Sequence, residues 1–212
     1  MVEGLPELEP LTVQDDRLRQ VPADAAAVRR AIAMATTALA AARGEGDVAR
    51  VRRLLAYLGE AHRVIGALEE AEREIREALI LAREAADARG GVANLIRLGE
   101  VLRCGDRPGD AEAALRDALA GTDGPGCDVY RDFALQHLGK TLLDTGRVEE
   151  ARAVLRDALA IRQRKGAPSL IASTQEALAR ADRLHPPRGR LPDARTDAPS
   201  GDPLRGRREP AG

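Results

Sequence analysis

Three histidines and two cysteines are the side chains best suited to metal binding or nucleophilic catalysis. His62 falls on an apolar helical stripe, His137 has no ligand-type residue at motif spacing, and His185 begins a Pro- and Arg-rich segment. Cys104 and Cys127 form no Cys-x-x-Cys motif, and a half-buried structural thiol is the favoured interpretation of Cys104. The HExxH, GxSxG and GxxxxGK[ST] patterns are also missing. The sequence predicts no catalytic residue, no metal and no cofactor, and therefore no enzyme.

Charge and composition narrow the remaining classes. The chain has 33 Lys and Arg against 34 Asp and Glu, a formal net charge of -1, so no overall field attracts nucleic acid or membrane. Its N-terminus is acidic where a signal peptide is basic and then apolar. No run approaches the roughly 18 uninterrupted apolar residues of a membrane helix. We expect a cytoplasmic protein with reduced thiols, and neither a membrane nor a nucleic acid as its partner.

The sequence contains an internal repeat with a fixed interval of 40 residues, as the spacing of Gly59, Gly99 and Gly139 shows. The helices of this repeat must position the histidines and cysteines named above. Seven positions repeat in three units: Leu55, Leu58, Gly59, Ala71, Ile75, Ala78 and Leu79; Leu95, Leu98, Gly99, Ala111, Leu115, Ala118 and Leu119; Leu135, Leu138, Gly139, Ala151, Leu155, Ala158 and Leu159. Their spacing predicts two helices per unit, and the recurring small residues predict close helix contacts. Aromatic residues make up only 1% of the chain, which favours packed helices over a large sheet.

This pattern resembles the tetratricopeptide repeat: Leu, two residues, Leu-Gly, then Ala, a large apolar residue and Ala. The 40-residue unit is longer than the standard repeat, as in kinesin light chains and arrays of bacterial regulators. We expect the extra residues in connections around 82–91, 121–128 and 163–168. His62 departs from the family, which prefers a large aromatic or apolar residue there. The resemblance implies an all-α fold, a right-handed α-solenoid of antiparallel helix pairs with three full units and flanking half-units.

The same register predicts the domain boundaries. The repeat domain spans 23–184, with units at approximately 52–91, 92–131 and 132–168 and a capping helix at 169–184. Residues 1–22 are expected to be disordered or a degenerate helix, because their prolines interrupt any periodicity. Residues 185–212 are expected to form a disordered tail. Its arginines leave contact with nucleic acid or acidic lipid as the alternative to an inert tail.

The family's ligand groove is lined by the first helix of each unit. The residues expected to line it here are Arg53, Tyr57, Glu60, Arg63, Ile96, Arg97, Glu100, Arg103, Phe133, Gln136, His137 and Lys140. Its cations predict a protein or peptide ligand with acidic and apolar residues, held by bidentate arginines. The alternative is a solvated face whose arginines pair with Glu60 and Glu100. The lysine and asparagine clamp of chaperone-binding members is missing, so no chaperone partner is predicted.

The predicted function is therefore a non-catalytic adaptor or regulatory scaffold that binds a protein segment. The resemblance to regulator-type arrays implies a role in bacterial transcriptional or signalling control. Two other functions stay open: a structural module that self-assembles through exposed ends or edges, and a small-molecule sensor or enzyme accessory subunit using Tyr57, Arg97 and His137. The partner and the oligomeric state are not specified by the sequence.

Overall fold

A computed structural model describes residues 4–185 and confirms the predicted α-solenoid. Its helices follow in chain order: α1 Ala25–Glu45, α2 Val48–Val64, α3 Leu68–Glu84, α4 Ala88–Cys104, α5 Pro108–Gly121, α6 Arg131–Asp144, α7 Val148–Lys165 and α8 Pro168–Leu184. Each helix packs against the next one in the chain. The three units are α2–α3, α4–α5 and α6–α7, while α1 and α8 are the flanking half-units.

The long repeat unit arises mainly from long helices, and this corrects the expected position of its extra residues. Helices α2, α3 and α4 have 17 residues each, separated by short turns. The segment around 82–91 is largely helical because Ala82 and Val92 continue the buried stripes of α3 and α4. Around 163–168, α7 likewise continues to Lys165. Of the three segments, only the one around 121–128 is mainly a connection, which joins Gly121 at the end of α5 to the 3-10 helix Asp128–Tyr130.

The recurring glycine sits where two helices of one unit come closest. A Cβ atom on Gly59 would lie 2.5 Å from Ile75 Cδ1, and one on Gly99 or Gly139 would lie 2.5 Å from Cγ of Leu115 or Leu155. Real Cβ atoms do not approach so closely, so a larger residue at any of these positions would force the facing side chain to shift. Most of the repeat positions are buried, whereas Leu95, Leu119 and Leu159 are partly buried. The buried glycines, alanines and leucines include Leu58, Gly59, Ala71, Ala78, Leu98, Gly99, Ala111, Ala118, Leu138, Gly139, Ala151 and Ala158.

The turns inside the units use residues in the left-handed conformation. Gly66 and Gly146 have φ values of 81° and 75°, which suit glycine. In the second unit the left-handed residue is Asp106, with φ 53°, and not its neighbour Gly105. Aspartate tolerates this conformation better than most residues other than glycine. Pro108 then begins α5, where no backbone donor is needed.

The N-terminal segment corrects the expectation of disorder or a degenerate helix, as far as it is described. It contains the 3-10 helix Glu9–Leu11 and an antiparallel hairpin of β1 (Thr12–Gln14) and β2 (Gln20–Pro22). Leu18, at the hairpin tip, is only 2% exposed. A hairpin this small is marginal alone, so its order depends on the helices beneath it. Helical periodicity could not predict contacts between residues so far apart in sequence.

Both ends of the helical array are half-units. Helix α1 packs on α2 through Val28, Ala31, Ala35 and Leu39. By length and composition alone, α1 could also cross a membrane, a property that apolar helices of soluble proteins share. At the other end, Arg162 of α7 reaches Thr174 of α8 at 2.7 Å. The predicted tail lies outside the described residues beyond His185.

Candidate binding surface on the first helices

Helices α2, α4 and α6 lie side by side and form the surface predicted to bind a ligand; we call it the first-helix face. Two parts of this face differ. One is a buried ionic cluster, the charged floor, which consists of Glu60, Arg63, Glu100, Arg103, His137, Lys140 and Asp144. The other is an open cleft beside the N-terminal halves of α2 and α4. Residues 5–22, the strap, lie against both parts.

The charged floor consists largely of ion pairs three residues apart on the same helix. Arg63 binds Glu60 at 2.5 Å, and at the matching positions of the next unit Arg103 binds Glu100 at 2.7 Å. Arg103 also reaches Asp144 of α6 at 2.8 Å, which connects two units. These arginines pair with acids of the same face, which is the alternative the sequence left open. Because they are buried, they are not solvated, and Arg63 and Arg103 are not free for a ligand while residues 5–22 are bound to them.

Burial and charge together set the protonation of the floor. Burial opposes ionisation of Glu100, yet the Arg103 guanidinium and His137 hold its pKa well below the usual range. Burial lowers the pKa of His137, whose Nδ1 lies 2.8 Å from Glu100 Oε2. Burial also lowers the pKa of Lys140. His137 is therefore a neutral donor to Glu100 at neutral pH.

The strap contributes neutral acceptors to this floor. Arg103 donates to the backbone carbonyls of Arg17 and Leu18 at 3.1 and 3.3 Å. Lys140 Nζ donates to the same Leu18 carbonyl at 3.2 Å, and Arg63 Nη2 donates to Gln20 Oε1 at 2.8 Å. The cations expected to grip a foreign ligand thus already hold a segment of their own chain.

The first half of the strap is anchored by leucines. Leu5 packs with the cluster of α1 and α2 that includes Leu58, while Leu8 and Leu11 pack beside Val28 and Ala61. Tyr57 donates its hydroxyl to the Pro6 carbonyl at 2.8 Å. The strap therefore follows the first-helix face from α1 and α2 towards α6 in an extended or tightly turned conformation.

The open cleft is a cavity of about 500 Å³ between α2, α4 and the strap. Its lining includes Arg52, Arg53, Ala56, Tyr57, Glu60, Asp87, Ala93, Asn94, Arg97 and Tyr130, with residues 5–9 as the opposite wall. Arg53 makes no ion pair with any described residue, and Arg97 makes one 3.3 Å hydrogen bond to Asn94. Arg52 pairs with Asp87 at 3.1 Å, but its Nη1 has no partner. The cleft has cationic donors that its own acids leave unused.

The predicted groove residues therefore do not form one surface. Arg53, Tyr57, Glu60 and Arg97 line the open cleft; Arg63, Glu100, Arg103, His137 and Lys140 lie in the charged floor. Ile96 is core, Gln136 is buried near Ser173, and Phe133 lies beneath Arg162 with 5.4 Å between guanidinium carbon and ring centre. A sensor site of Tyr57, Arg97 and His137 is not assembled, because His137 is bound to Glu100.

Three residues that line the cleft were not predicted from the sequence: Arg52, the buried Asn94, and Tyr130 from the connection before α6. Only Arg52 carried a signal, since it precedes a predicted groove arginine.

Of the two thiols, Cys104 is partly buried beside the floor, and burial raises its pKa, which makes it a poor nucleophile. His62 contacts Glu74 of α3 at 2.7 Å. Within residues 4–185, no three His, Cys, Asp or Glu side chains cluster as a metal site requires.

Solved structures with similar backbones support the fold. BtubC (BKLC) from P. vanneervenii aligns with a TM-score of 0.61 at 20% identity, covering 81% of this chain and 77% of that one. A Podosopora anserina putative kinesin light chain with nearly identical TPR-like repeats aligns at 0.57 and 17% identity, over 74% and 79%. No family model and no curated protein matches the sequence. The chain thus has the fold of TPR-like helical repeats and resembles the repeats of kinesin light chains.

Proposed function

We propose that this protein is a non-catalytic interaction module that binds an extended protein segment along its first-helix face. The observation that carries the proposal is the strap, because the face already binds a long polypeptide segment from the same chain. Arginine, lysine and tyrosine donors hold its backbone carbonyls, and leucines fill apolar contacts. A face that holds one polypeptide segment through its backbone carbonyls and leucines has the chemistry to hold another.

The open cleft is the part of the face available to an external segment. Arg53 and Arg97 supply donors that make no ion pair with a described residue, while Glu60 pairs with Arg63 and Asp87 pairs with Arg52. A partner's aspartate or glutamate would accept bidentate hydrogen bonds from these arginines. Ala56 and Ala93 offer room for apolar side chains beside it. We therefore propose an acidic and apolar ligand, in an adaptor or regulatory role of the kind the regulator-type repeats suggest.

Selection of short random peptides on the full chain tests this function. We expect the selected peptides to be enriched in Asp and Glu, and to bind an Arg53→Glu/Arg97→Glu double variant at least ~10-fold more weakly. The matched control is Arg29→Glu/Arg73→Glu, which changes the same charge at exposed arginines outside the cleft. Equal losses in both variants would mean that overall charge, and not the cleft, attracts the peptides. Arg103 is unsuitable for this test because it is buried in the floor.

Self-association is a second candidate, favoured by one feature of α1. Each second helix has an arginine followed in sequence by an acid at the same repeat position: Arg76 and Glu77, Arg116 and Asp117, Arg156 and Asp157. The corresponding residues of α1 are the uncharged Thr36 and Thr37. The exposed surface around them consists of Ala33, Met34, Ala40 and Ala41. Light scattering over a wide concentration range tests this candidate. Dimers that an Ala33→Glu substitution dissociates would support it, and a monomer at every concentration would exclude it.

The proposal places the protein in the cytoplasm. It is consistent with the two unpaired cysteines, Cys104 and Cys127, which form no disulfide in the structure.

A further inference from the structure

We propose that the strap is an intramolecular ligand of the charged floor, and that an external segment of the same chemistry displaces it. This inference rests on the proposed function, because it assumes that the first-helix face binds extended segments from other chains. It adds the identity of the present occupant and the chemical features that a replacement must share: an apolar anchor and hydrogen-bond acceptors directed at Arg63, Arg103 and Lys140.

The floor recognises features of the strap that many sequences share. Arg103 and Lys140 bind main-chain carbonyls, including that of Leu18. Any extended segment presents carbonyls, so these contacts do not select the strap by its sequence. Three contacts at the tip depend on sequence. The Leu18 side chain enters the core cluster with Ile96 and Leu138, the amide of Gln20 accepts from Arg63, and the Arg17 guanidinium binds Asp106 at 2.9 Å on the exposed edge. A competing segment needs to reproduce the first two, because the pair with Asp106 is exposed and contributes little.

The strap satisfies the floor incompletely. Lys140 Nζ, a buried ammonium with three donor hydrogens, contacts one acceptor. Arg63 Nη1 makes no hydrogen bond and lies 3.9 Å from Glu100 Oε1. The cations of the floor and the adjoining Arg180 outnumber its acids: Arg63, Arg103, Lys140 and Arg180 against Glu60, Glu100 and Asp144. The strap adds neutral acceptors and one further cation, Arg17, which lies 3.8 Å from Asp144, so it leaves this excess positive charge in place. An occupant with a carboxylate near Gln20 would neutralise it better.

The strap is also held weakly enough to be released. Leu18 is not glycine but has φ 59°, a conformation that strains its backbone. The hairpin pairs only three residues on each strand and is marginal without the floor. Only Ala23 and Asp24 separate β2 from α1, so a released strap stays tethered beside its binding site. Release exposes Arg63, Arg103 and Lys140 together.

A fluorescent peptide of residues 10–24 is the probe, measured against the full chain. We expect weak binding to the wild-type chain, because the strap covers the floor. A Leu18→Ala chain loses the apolar anchor of its own strap and should bind the peptide about 10-fold more tightly. A Gln20→Glu chain, whose strap gains a carboxylate at Arg63, should bind it about threefold more weakly than wild type. Gln20→Glu within the peptide should instead strengthen binding by a similar factor.

The opposite signs of the Gln20→Glu substitution in chain and peptide distinguish competition from general destabilisation. Hydrogen exchange on the wild-type chain gives a second measurement that needs no variant. Excess Gln20→Glu peptide should accelerate amide exchange in residues 12–22 and leave α4 and α6 protected. Equal peptide affinity for all three chains, or unchanged exchange under saturating peptide, would overturn the proposal. The Arg53→Glu/Arg97→Glu chain should bind this peptide like wild type, so failure of the cleft and failure of the strap are separable.

Discussion

At the scale of single residues, Gly99 and Gly91 lie in the same helix but have opposite surroundings. A Cβ atom on Gly99 would lie 2.5 Å from Leu115 Cγ, whereas one on Gly91 meets nothing within 4 Å. Gly99→Ala should therefore destabilise the fold by about 1–3 kcal/mol through overpacking. Gly91→Ala should stabilise it by about 0.5–1 kcal/mol, because alanine loses less backbone entropy in a helix. Chemical denaturation of both variants measures this, and equal effects would contradict the proposed close contact.

His137 predicts how stability depends on pH. Burial lowers its pKa in the folded chain, so the unfolded chain binds more protons as the pH falls below the ordinary histidine value of about 6.5. The contribution of neutral His137 is full above that pH and is lost as the pH falls below it. The free energy of unfolding should decrease from pH 7.5 to 5.5 in wild type and stay nearly constant in His137→Gln. A parallel decrease in both proteins would assign the effect to another group.

At the scale of elements, the units are joined by a ladder of arginines and glutamates on the second helices. Glu72 binds Arg76 at 2.7 Å and Arg107 of the next unit at 2.8 Å. One unit later, Glu112 repeats this with Arg116 and Arg147, and its pKa is lowered by them. The recurring arginines thus pair with the acid four residues earlier, and not with the acid that follows them. In the last unit the ladder changes, because Arg152 occupies the position that corresponds to Glu72 and Glu112.

Arg152 and Arg107 should differ in importance for stability. The Arg152 side chain is 6% exposed and donates to Asp182 and to the carbonyls of Ala181 and His185 at the end of α8. Arg152→Ala leaves these terminal carbonyls without a donor and should cost about 1–3 kcal/mol. The Arg107 side chain is 47% exposed, and Arg107→Ala should cost about 0–1 kcal/mol. Thermal melts of both variants compare them, and a smaller loss for Arg152→Ala would contradict this account of α8 capping.

The helices could be predicted from sequence because their contacts recur at one interval. Gly59 faces Ile75, and Gly99 faces Leu115, so a single local pattern appears three times. The strap could not be predicted, since Lys140 and the Leu18 carbonyl are 122 residues apart and the contact uses backbone atoms that any residue has. The ion pairs of the floor could be predicted from sequence only in part. Glu100 and Arg103 are three residues apart on one helix, a spacing that favours pairing and reduces the charge available to a ligand.

At the scale of the whole molecule, the charged floor and strap add long-range coupling to an array of neighbour contacts. A simple repeat protein is stabilised by its units and by the interfaces between adjacent units. Here the strap contacts α2 through Gln20 and contacts α6 through the Leu18 carbonyl. These two helices belong to different units. Asp144 adds a junction, because it binds Arg103 of α4 at 2.8 Å and Arg180 of α8 at 3.0 Å. This coupling should make the described helices unfold as one cooperative body.

Asp144→Asn tests that cooperativity. The carboxylate is 5% exposed, and its loss leaves two arginines without their shared counter-charge, which should cost about 3 kcal/mol. Because the junction joins α4, α6 and α8, we also expect a broader urea transition with a smaller m-value. Asp123→Asn is the control, since Asp123 is 79% exposed and pairs only with Arg131; its cost should be below about 1 kcal/mol. If Asp144→Asn shifts the midpoint with an unchanged m-value, the floor stabilises its own helices without coupling the units, and the strap then remains a local contact.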